Sequence, residues 1–465
     1  MLVGFGLSVA LAVLASLGTL TGASPAQENG GARNVILFIG DGLGAAQRDA
    51  IQLATVGPYG RLAMDDLPYR GMVSTNPVDS ETSVTDSAAA ATAMAAGVKT
   101  TNGLVGMDEE GNPVPTILEQ AGAAGKSTGL VSTGEVTDAS PAAFAAHVED
   151  REEQTEIARQ YVEESRPDVL LGGGESYWYP EGVPGAFPDN DEEAASQGDQ
   201  GNLVEAAQES GYEYVTNAEE LAAASGRQLL GLFANGAMFA AGPEGEGVYD
   251  PSVPLTDMTG KAIETLSQNP EGFFLMVEEE AIDDMGHANN GELQIKSGRA
   301  LDRAVARAVD FAEANPDTLV VTVGDHECCG LNVEQLDRKE YPGENASLST
   351  EDGPFDVAGT DYQFIMNWST TRHTGVDVPL TAIGPGGNQL TGNYENTRIY
   401  EVMAGSLGVA DLEPLSGTGG SPAIAGATSS GFPIPVIPAL VGGAGVAAGV
   451  VAGLLVLRVR VLRGP

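Results

Sequence analysis

Along the chain, short runs of consecutive apolar residues alternate with segments in which apolar residues recur at helical spacing. Residues 34–39 (NVILFI), 127–132, 272–277 and 319–323 are of the first kind and predict buried strands. Residues 86–97, 114–124, 155–164 and 293–314 are of the second kind and predict helices. Such alternation predicts an α/β fold, a largely parallel sheet covered by helices, in which ligands gather where strands end. Residues 177–202 break the pattern with Gly, Pro and acidic residues and predict a loop with surface structure of its own. No internal repeat is present.

The two ends follow a different pattern. Residues 2–20 are apolar and 23–26 are small, so 1–26 predict a secretory signal peptide, although no Lys or Arg precedes the apolar run. An uncleaved anchor is the competing reading. The body, 27–410, is followed by 411–431, a Ser-, Gly-, Thr- and Pro-rich flexible linker. Residues 432–457 carry no charge and are long enough to cross a bilayer, and the tail 458–465 holds Arg458, Arg460 and Arg463. Together these predict a body on the extracellular face of the membrane, anchored by a C-terminal helix. A tail of this kind also serves as a removable sorting signal. Gly445, Gly449 and Gly453 recur every fourth position, as in closely packed membrane helices, but also as in simple apolar filler.

Of the 465 residues, 65 are acidic and 22 basic, giving a formal net charge of -43. That field repels polyanions, so nucleic acid is not an expected partner. The acid is spread through periodic segments, which describes a solvated surface suited to high salt. Cys328 and Cys329 are adjacent and poorly placed for an ordinary disulfide. No bridge is expected, and the pair reads as two small buried residues rather than as ligands.

Only four histidines occur: His147, His287, His326 and His373. Three of them have acidic or turn-like neighbours. Asp283 and His287 are spaced i, i+4, so on a helix both face one point. Asp325 and His326 follow the strand 319–323, where adjacent side chains can diverge around one ion. Imidazole with carboxylate suits Zn²⁺, which takes nitrogen and oxygen at about 2.0–2.2 Å. Asp41 ends the first strand in GDGLG (40–44), whose glycines permit a sharp turn. A dinucleotide-binding turn shares this Gly-x-Gly pattern, but the carboxylate would repel a pyrophosphate. Thr85, Asp86 and Ser87 open the Ala-rich helical segment. They read as an N-cap, and also as a serine in a field that favours anions.

The order of these motifs, from residue 34 to about 408, resembles the alkaline phosphatase family. Residues 85–103 (TDSAAAATAMAAGVKTTNG) are similar to its nucleophile signature, which implies that Ser87 is phosphorylated during turnover. Residues 132–151 (STGEVTDASPAAFAAHVEDR) resemble the stretch that supplies a third-metal ligand, here Ser140, and a phosphate-gripping arginine, Arg151. Asp138 would lie just behind that ligand. Residues 274–287 (FLMVEEEAIDDMGH) would give Glu278 to Mg²⁺ and Asp283 with His287 to one zinc. TVGDHECCG (322–330) would give Asp325 and His326 to a second zinc, and RHTG (372–375) would add His373 to the first. Asp41 would bridge the second zinc and Mg²⁺. His147 falls outside the set and reads as structural. Asp284 stands where some relatives carry a lysine that reaches toward phosphate, and a carboxylate there should repel it.

The resemblance implies a three-layer sandwich around the large sheet, two Zn²⁺ and one Mg²⁺, and phosphate monoesters as substrates. It implies hydrolysis in two in-line steps through a phosphoserine, and it leaves a homodimer open. A phosphodiesterase, sulfatase or phosphomutase relative on the same sheet is the nearest rival. A non-catalytic acidic cell-surface metal-binding protein is the rival of a different class.

Overall fold

The computed structural model describes residues 31–79, 81–188, 196–335, 351–410 and 412. The predicted signal peptide, membrane helix and basic tail lie outside these residues, as does the predicted linker apart from Leu412. Among the described residues no helix is long and apolar enough to cross a membrane.

The strands, in chain order, are β1 (Asn34–Gly40), β2 (Tyr69–Ser74), β3 (Ser127–Glu135), β4 (Val169–Gly173), β5 (Glu213–Val215), β6 (Leu229–Leu232), β7 (Phe273–Glu279), β8 (Thr318–Gly324), β9 (Glu327–Cys328), β10 (Leu331–Gln335), β11 (Glu351–Asp356), β12 (Gln363–Trp368), β13 (His373–Thr374), β14 (Val378–Ile383) and β15 (Gly392–Glu395). Ten of them form one sheet in the order β15-β2-β14-β8-β1-β7-β3-β4-β6-β5. Only β14 runs against the rest, pairing antiparallel with both β2 and β8. A three-stranded sheet (β10-β12-β11) and the short β13-β9 pair complete the described strands.

Burial on both faces explains why the central strands are almost uninterruptedly apolar. Along β1, Val35, Leu37 and Ile39 enter one core with Phe274, Met276 and Val321, while Ile36 and Phe38 enter the other with Phe273, Leu275 and Val320. The helices Ser87–Ala96, Ile117–Ala123 and Thr397–Leu407 cover the first face. Leu255–Leu266 and Gly291–Ala314 cover the second. The result is the predicted three-layer sandwich. Each large apolar side chain so buried contributes about 1.5–3 kcal/mol.

All four predicted strands are present, and β3 and β7 run on past their apolar runs to Glu135 and Glu279. The extra residues lie at the end of the sheet where the polar chemistry collects. The predicted helices are also present, and the third gives way to a π-helical turn at Tyr161–Ser165. The described parts of the segment predicted as a surface loop, 177–188 and 196–202, are fastened more firmly than expected. Fully buried Glu175 accepts bonds from the Ala186 and Phe187 amides at 2.9 Å and from the Tyr214 hydroxyl at 2.6 Å. Trp178, beside it, is fully buried.

Candidate metal centre

The C-terminal ends of β1, β3, β7 and β8 converge. After β1 the chain turns at once, with the Leu43 amide bonded to the Gly40 carbonyl at 3.1 Å. Gly42 sits at φ +68, and a Cβ there would lie 2.5 Å from Asp283 Oδ1 and 2.8 Å from Cys328 Cβ. Both conformation and space therefore require glycine, and the turn leaves Asp41 buried at the sheet end.

Ser87 begins a helix that is buried almost throughout, so alanine is what fits along it. Asp86 caps that helix by accepting from the Ala89 amide at 3.0 Å, and its second oxygen accepts from the Gly103 amide at 2.9 Å. The cap aims the serine. Ser87 Oγ lies 3.3 Å from Asp41 Oδ2 and 3.3 Å from His326 Nε2.

Two ligand groups flank this hydroxyl. In one, His287 Nε2 lies 2.9 Å and His373 Nε2 3.5 Å from Asp283 Oδ2, and the two imidazole nitrogens are 3.1 Å apart. The i, i+4 pair occupies one turn of the helix Ala281–His287, as its spacing predicts. His373 arrives because β13 pairs with β9, which directly follows His326. The other group is Asp41, Asp325 and His326, with His326 Nε2 3.4 Å from Asp41 Oδ1 and 3.2 Å from Asp325 Oδ2. The His326 and His373 rings stack at 3.5 Å, so the two groups adjoin.

Backbone groups fix these ligands from behind. His287 Nδ1 faces the Thr371 carbonyl at 2.8 Å and His373 Nδ1 faces the Thr85 carbonyl at 3.0 Å, which leaves each Nε2 for the site. Asp325 Oδ1 accepts from the Gly42 amide at 3.0 Å and the His326 amide at 2.9 Å, leaving Oδ2 to face inward.

The third predicted group is Glu278 and Ser140 with Asp41, on which the Glu278 charge acts. Glu278 is buried and accepts from Ser132 Oγ at 2.7 Å. Buried Ser140 stands close enough to bear on its ionisation. Arg151 is gripped by Asp138, whose oxygens lie 3.0 and 3.2 Å from Nη2, and by Asp86, 3.6 Å from Nη1. Burial alone would lower the arginine's pKa, but Asp138 and Asp86 more than offset it, so the guanidinium stays charged.

Electrostatics separate the two sides. Burial, then Asp325, Asp283 and Glu278, push Asp41 well above the usual carboxylate range, and burial takes Glu278 to about 8. Asp283 is also buried, yet hydrogen bonds from His287 and His373 hold it far below that range. The Asp283 hydrogen bond raises His287 to about 9, whereas burial lowers His326 and keeps it neutral, the form in which imidazole binds metal. Among the described residues Asp41 Oδ1, Asp283 Oδ1, Asp325 Oδ2 and Ser140 Oγ are buried without a hydrogen-bond partner. Buried acceptors that lack donors and converge on one place fit divalent cations.

His147 stands apart, as expected, between the Gly106 carbonyl at 2.7 Å and Glu119 at 3.0 Å. Asp284 is half-buried within the fields of Asp283, Asp138 and Arg151, and burial is the main cause of its rise to about 6. The expectation for the cysteines is corrected in part. They are buried, but they are joined to each other as a disulfide, with Cys329 at φ 73. The left-handed backbone turns the two neighbouring side chains toward each other, which the ordinary spacing rule does not anticipate. His287 with the two sulfurs forms a third ligand-like group, but the sulfurs are already bonded.

The residue most plainly missed by sequence reasoning is Glu327. It accepts from Gln47 Nε2 at 2.9 Å, from the Gly330 and Leu331 amides at 3.2 Å, and from the Thr374 hydroxyl. It thus ties the His326 turn to the His373 strand. Its place directly after Asp325 and His326 was the available signal.

The model of the alkaline phosphatase family matches residues 32–363. Alkaline phosphatase 4 of Bacillus subtilis is 33% identical over 427 residues, covering 80% of this chain and 88% of its own. Alkaline phosphatase of Escherichia coli K12 is 36% identical over 429 residues, covering 81% and 86%. Among solved structures, the alkaline phosphatase of the Antarctic bacterium TAB5 superposes with a TM-score of 0.66 at 27% identity, covering 81% of this chain and 99% of that one. With the matched fold, and with the predicted ligands gathered around one serine, the chain belongs to the alkaline phosphatase family and is a phosphoric monoester hydrolase.

Proposed function

We propose that the chain hydrolyses phosphate monoesters through a phosphoserine on Ser87, at a centre of two zinc ions and one magnesium ion. The observation that carries this reading is the placement of Ser87 Oγ 3.3 Å from both Asp41 Oδ2 and His326 Nε2. Asp283, His287 and His373 would hold one zinc; Asp325, His326 and Asp41 the other; Asp41, Glu278 and Ser140 the magnesium. A magnesium ion in the "M3 site" of a TAB5 enzyme variant supports the third position. When bound, such ions stabilise charge on the entering and leaving oxygens and supply hydroxide at neutral pH.

The protein's own groups do the rest. The Asp86 cap fixes Ser87 at a helix start, where free amides and the dipole favour an anion. Asp41 accepts the Ser87 hydroxyl bond and so orients the oxygen for attack on phosphorus. Asp138 and Asp86 hold Arg151, whose remaining guanidinium donors can fork onto two phosphate oxygens. His287 and His373 are kept in one tautomer by the carbonyls behind them. The termini extend the proposal to an exported enzyme, anchored by 432–457 at the extracellular face of the membrane.

Acid quenching during turnover of a labelled monoester should trap phosphate on Ser87. Ser87→Ala should lose both the label and activity, by about 10³-fold or more. A variant that keeps its full rate would exclude the covalent route. Monoester set against diester substrate separates the phosphatase from its relatives.

A further inference from the structure

Glu327 is buried and, among the described residues, belongs to none of the ligand groups around Ser87, yet it is tied to two of them. A carboxylate offers about four lone-pair positions, and here each oxygen receives two donors. Gln47 Nε2 at 2.9 Å and the Leu331 amide at 3.2 Å reach Oε1. The Gly330 amide at 3.2 Å and the Thr374 hydroxyl reach Oε2. With both oxygens taken, the group holds chain segments together rather than an ion of its own.

The segments it holds are those that carry imidazoles. Glu327 directly follows His326, and Thr374 directly follows His373. Their backbones pair as β9 and β13, with Thr374 opposite Glu327 and His373 opposite Cys328. Each strand is only two residues long, against about five or six in an ordinary strand, so the backbone ladder alone is a weak hold. The carboxylate adds a side-chain tie across it. Gln47, buried on the helix Ala45–Thr55, donates to Glu327 and also to the Cys328 carbonyl at 2.7 Å, which fastens the pair to the body of the fold. Gly44 makes the room: a Cβ there would lie 2.4 Å from Glu327 Cγ. Its φ of -79 suits any residue, so space rather than conformation requires glycine at this position. The last glycine of GDGLG serves the carboxylate, whereas Gly42 serves the turn at Asp41.

We propose that Glu327 is a positioning residue: one carboxylate ties the His326 segment to the His373 segment and so fixes the spacing of the two imidazole groups read above as zinc sites. The inference rests on that reading and extends it. Displacement at a paired-metal centre depends on where the two ions stand, and small misplacements of reacting groups are costly. The 3.5 Å stack of the His326 and His373 rings is the geometry so held. Glu327 acts through the two histidines rather than on the substrate.

The test is zinc titration of the full chain against a competing chelator, resolving both affinities. Glu327→Gln sets an amide among four donors and should weaken both zincs by about 10- to 100-fold. Thr374→Val removes only the hydroxyl beside His373 and should weaken one zinc by about tenfold, leaving the other at its wild-type value. His147→Ala, which loosens the fold elsewhere, should move neither affinity. Wild-type zinc affinities in Glu327→Gln and Thr374→Val, with only a lower melting temperature, would overturn the proposal and leave Glu327 a stabilising residue. An equal loss of zinc affinity in His147→Ala would overturn it too, because zinc binding would then merely follow stability. Should Glu327→Gln fail to fold, Thr374→Val decides alone, and two unchanged affinities there would overturn the proposal. Wild type that takes up no zinc would overturn the metal centre itself, whereas two zincs in wild type with unaltered variants would overturn this inference alone.

Discussion

The two flanks of Ser87 are built from different atoms. On one flank stand the imidazoles of His287, His326 and His373 with Asp283 and Asp325; on the other stand Glu278 and Ser140, with no nitrogen between them. The nitrogen flank comes from the turn after β8, the short β13 strand and the helix Ala281–His287 that follows β7, and the oxygen flank from the end of β7 and the helix Ala139–Ala142 that follows β3. Imidazole suits zinc, whereas carboxylate and hydroxyl suit magnesium, so one sheet edge could sort two kinds of ion by the donor atoms each flank presents. Asp41 lies within the fields of Asp325, Asp283 and Glu278, and Ser87 sits against it.

Substitutions on the two flanks should therefore fail differently. His373→Ala should show the larger loss, releasing about one zinc equivalent and lowering kcat by about 10²-fold or more. Zinc counting alongside kinetics checks this, and full zinc retention would remove His373 from the ligand set. Arg151→Ala leaves both flanks intact and deletes charge-assisted hydrogen bonds worth about 1.5–3 kcal/mol, so the inhibition constant for inorganic phosphate should rise about 10- to 100-fold. An unchanged constant would count against its role as phosphate clamp.

Glu278→Gln should empty only the magnesium position, and pH sharpens the contrast. In metal-free protein burial raises Glu278 and Glu279 to about 8, from ordinary values of 4.5. A raised carboxyl pKa means the native state binds more protons than the unfolded state, so this stability is complete below about pH 4.5 and is lost as pH rises through about 8. The melting temperature of chelator-treated protein should fall across that window, and Mg²⁺ should recover the part due to Glu278. Glu278→Gln should show the smaller fall and no magnesium response. The mildest effect belongs to His147→Ala, which removes a hydrogen-bonded bridge far from either flank. It should cost about 1–2 kcal/mol of stability and leave zinc content and kcat unchanged.

Much of this was legible in the sequence because the central strands are buried on both faces. Asn34–Gly40 and Thr318–Gly324 announce themselves as apolar runs, and the polar residues just beyond them, Asp41, Asp325 and His326, mark the site. The strands toward the sheet's edges were harder. Tyr69–Ser74 mixes Arg70 and Gly71 with apolar residues, and Val378–Ile383 carries Pro379 and Thr381, so neither shows a continuous run. The buttress of Glu327, the carbonyls of Thr85 and Thr371, and the Cys328–Cys329 bond arise where distant segments meet or where one residue takes a left-handed backbone. Local periodicity carries no trace of such contacts.

Anomalous diffraction at the zinc edge, from crystals grown with zinc and magnesium, tests the sorting of ions most directly. Two zinc peaks should flank Ser87, one among Asp283, His287 and His373 and one among Asp41, Asp325 and His326, with none beside Glu278 and Ser140. A zinc peak on the oxygen flank, or none within reach of Ser87, would contradict it.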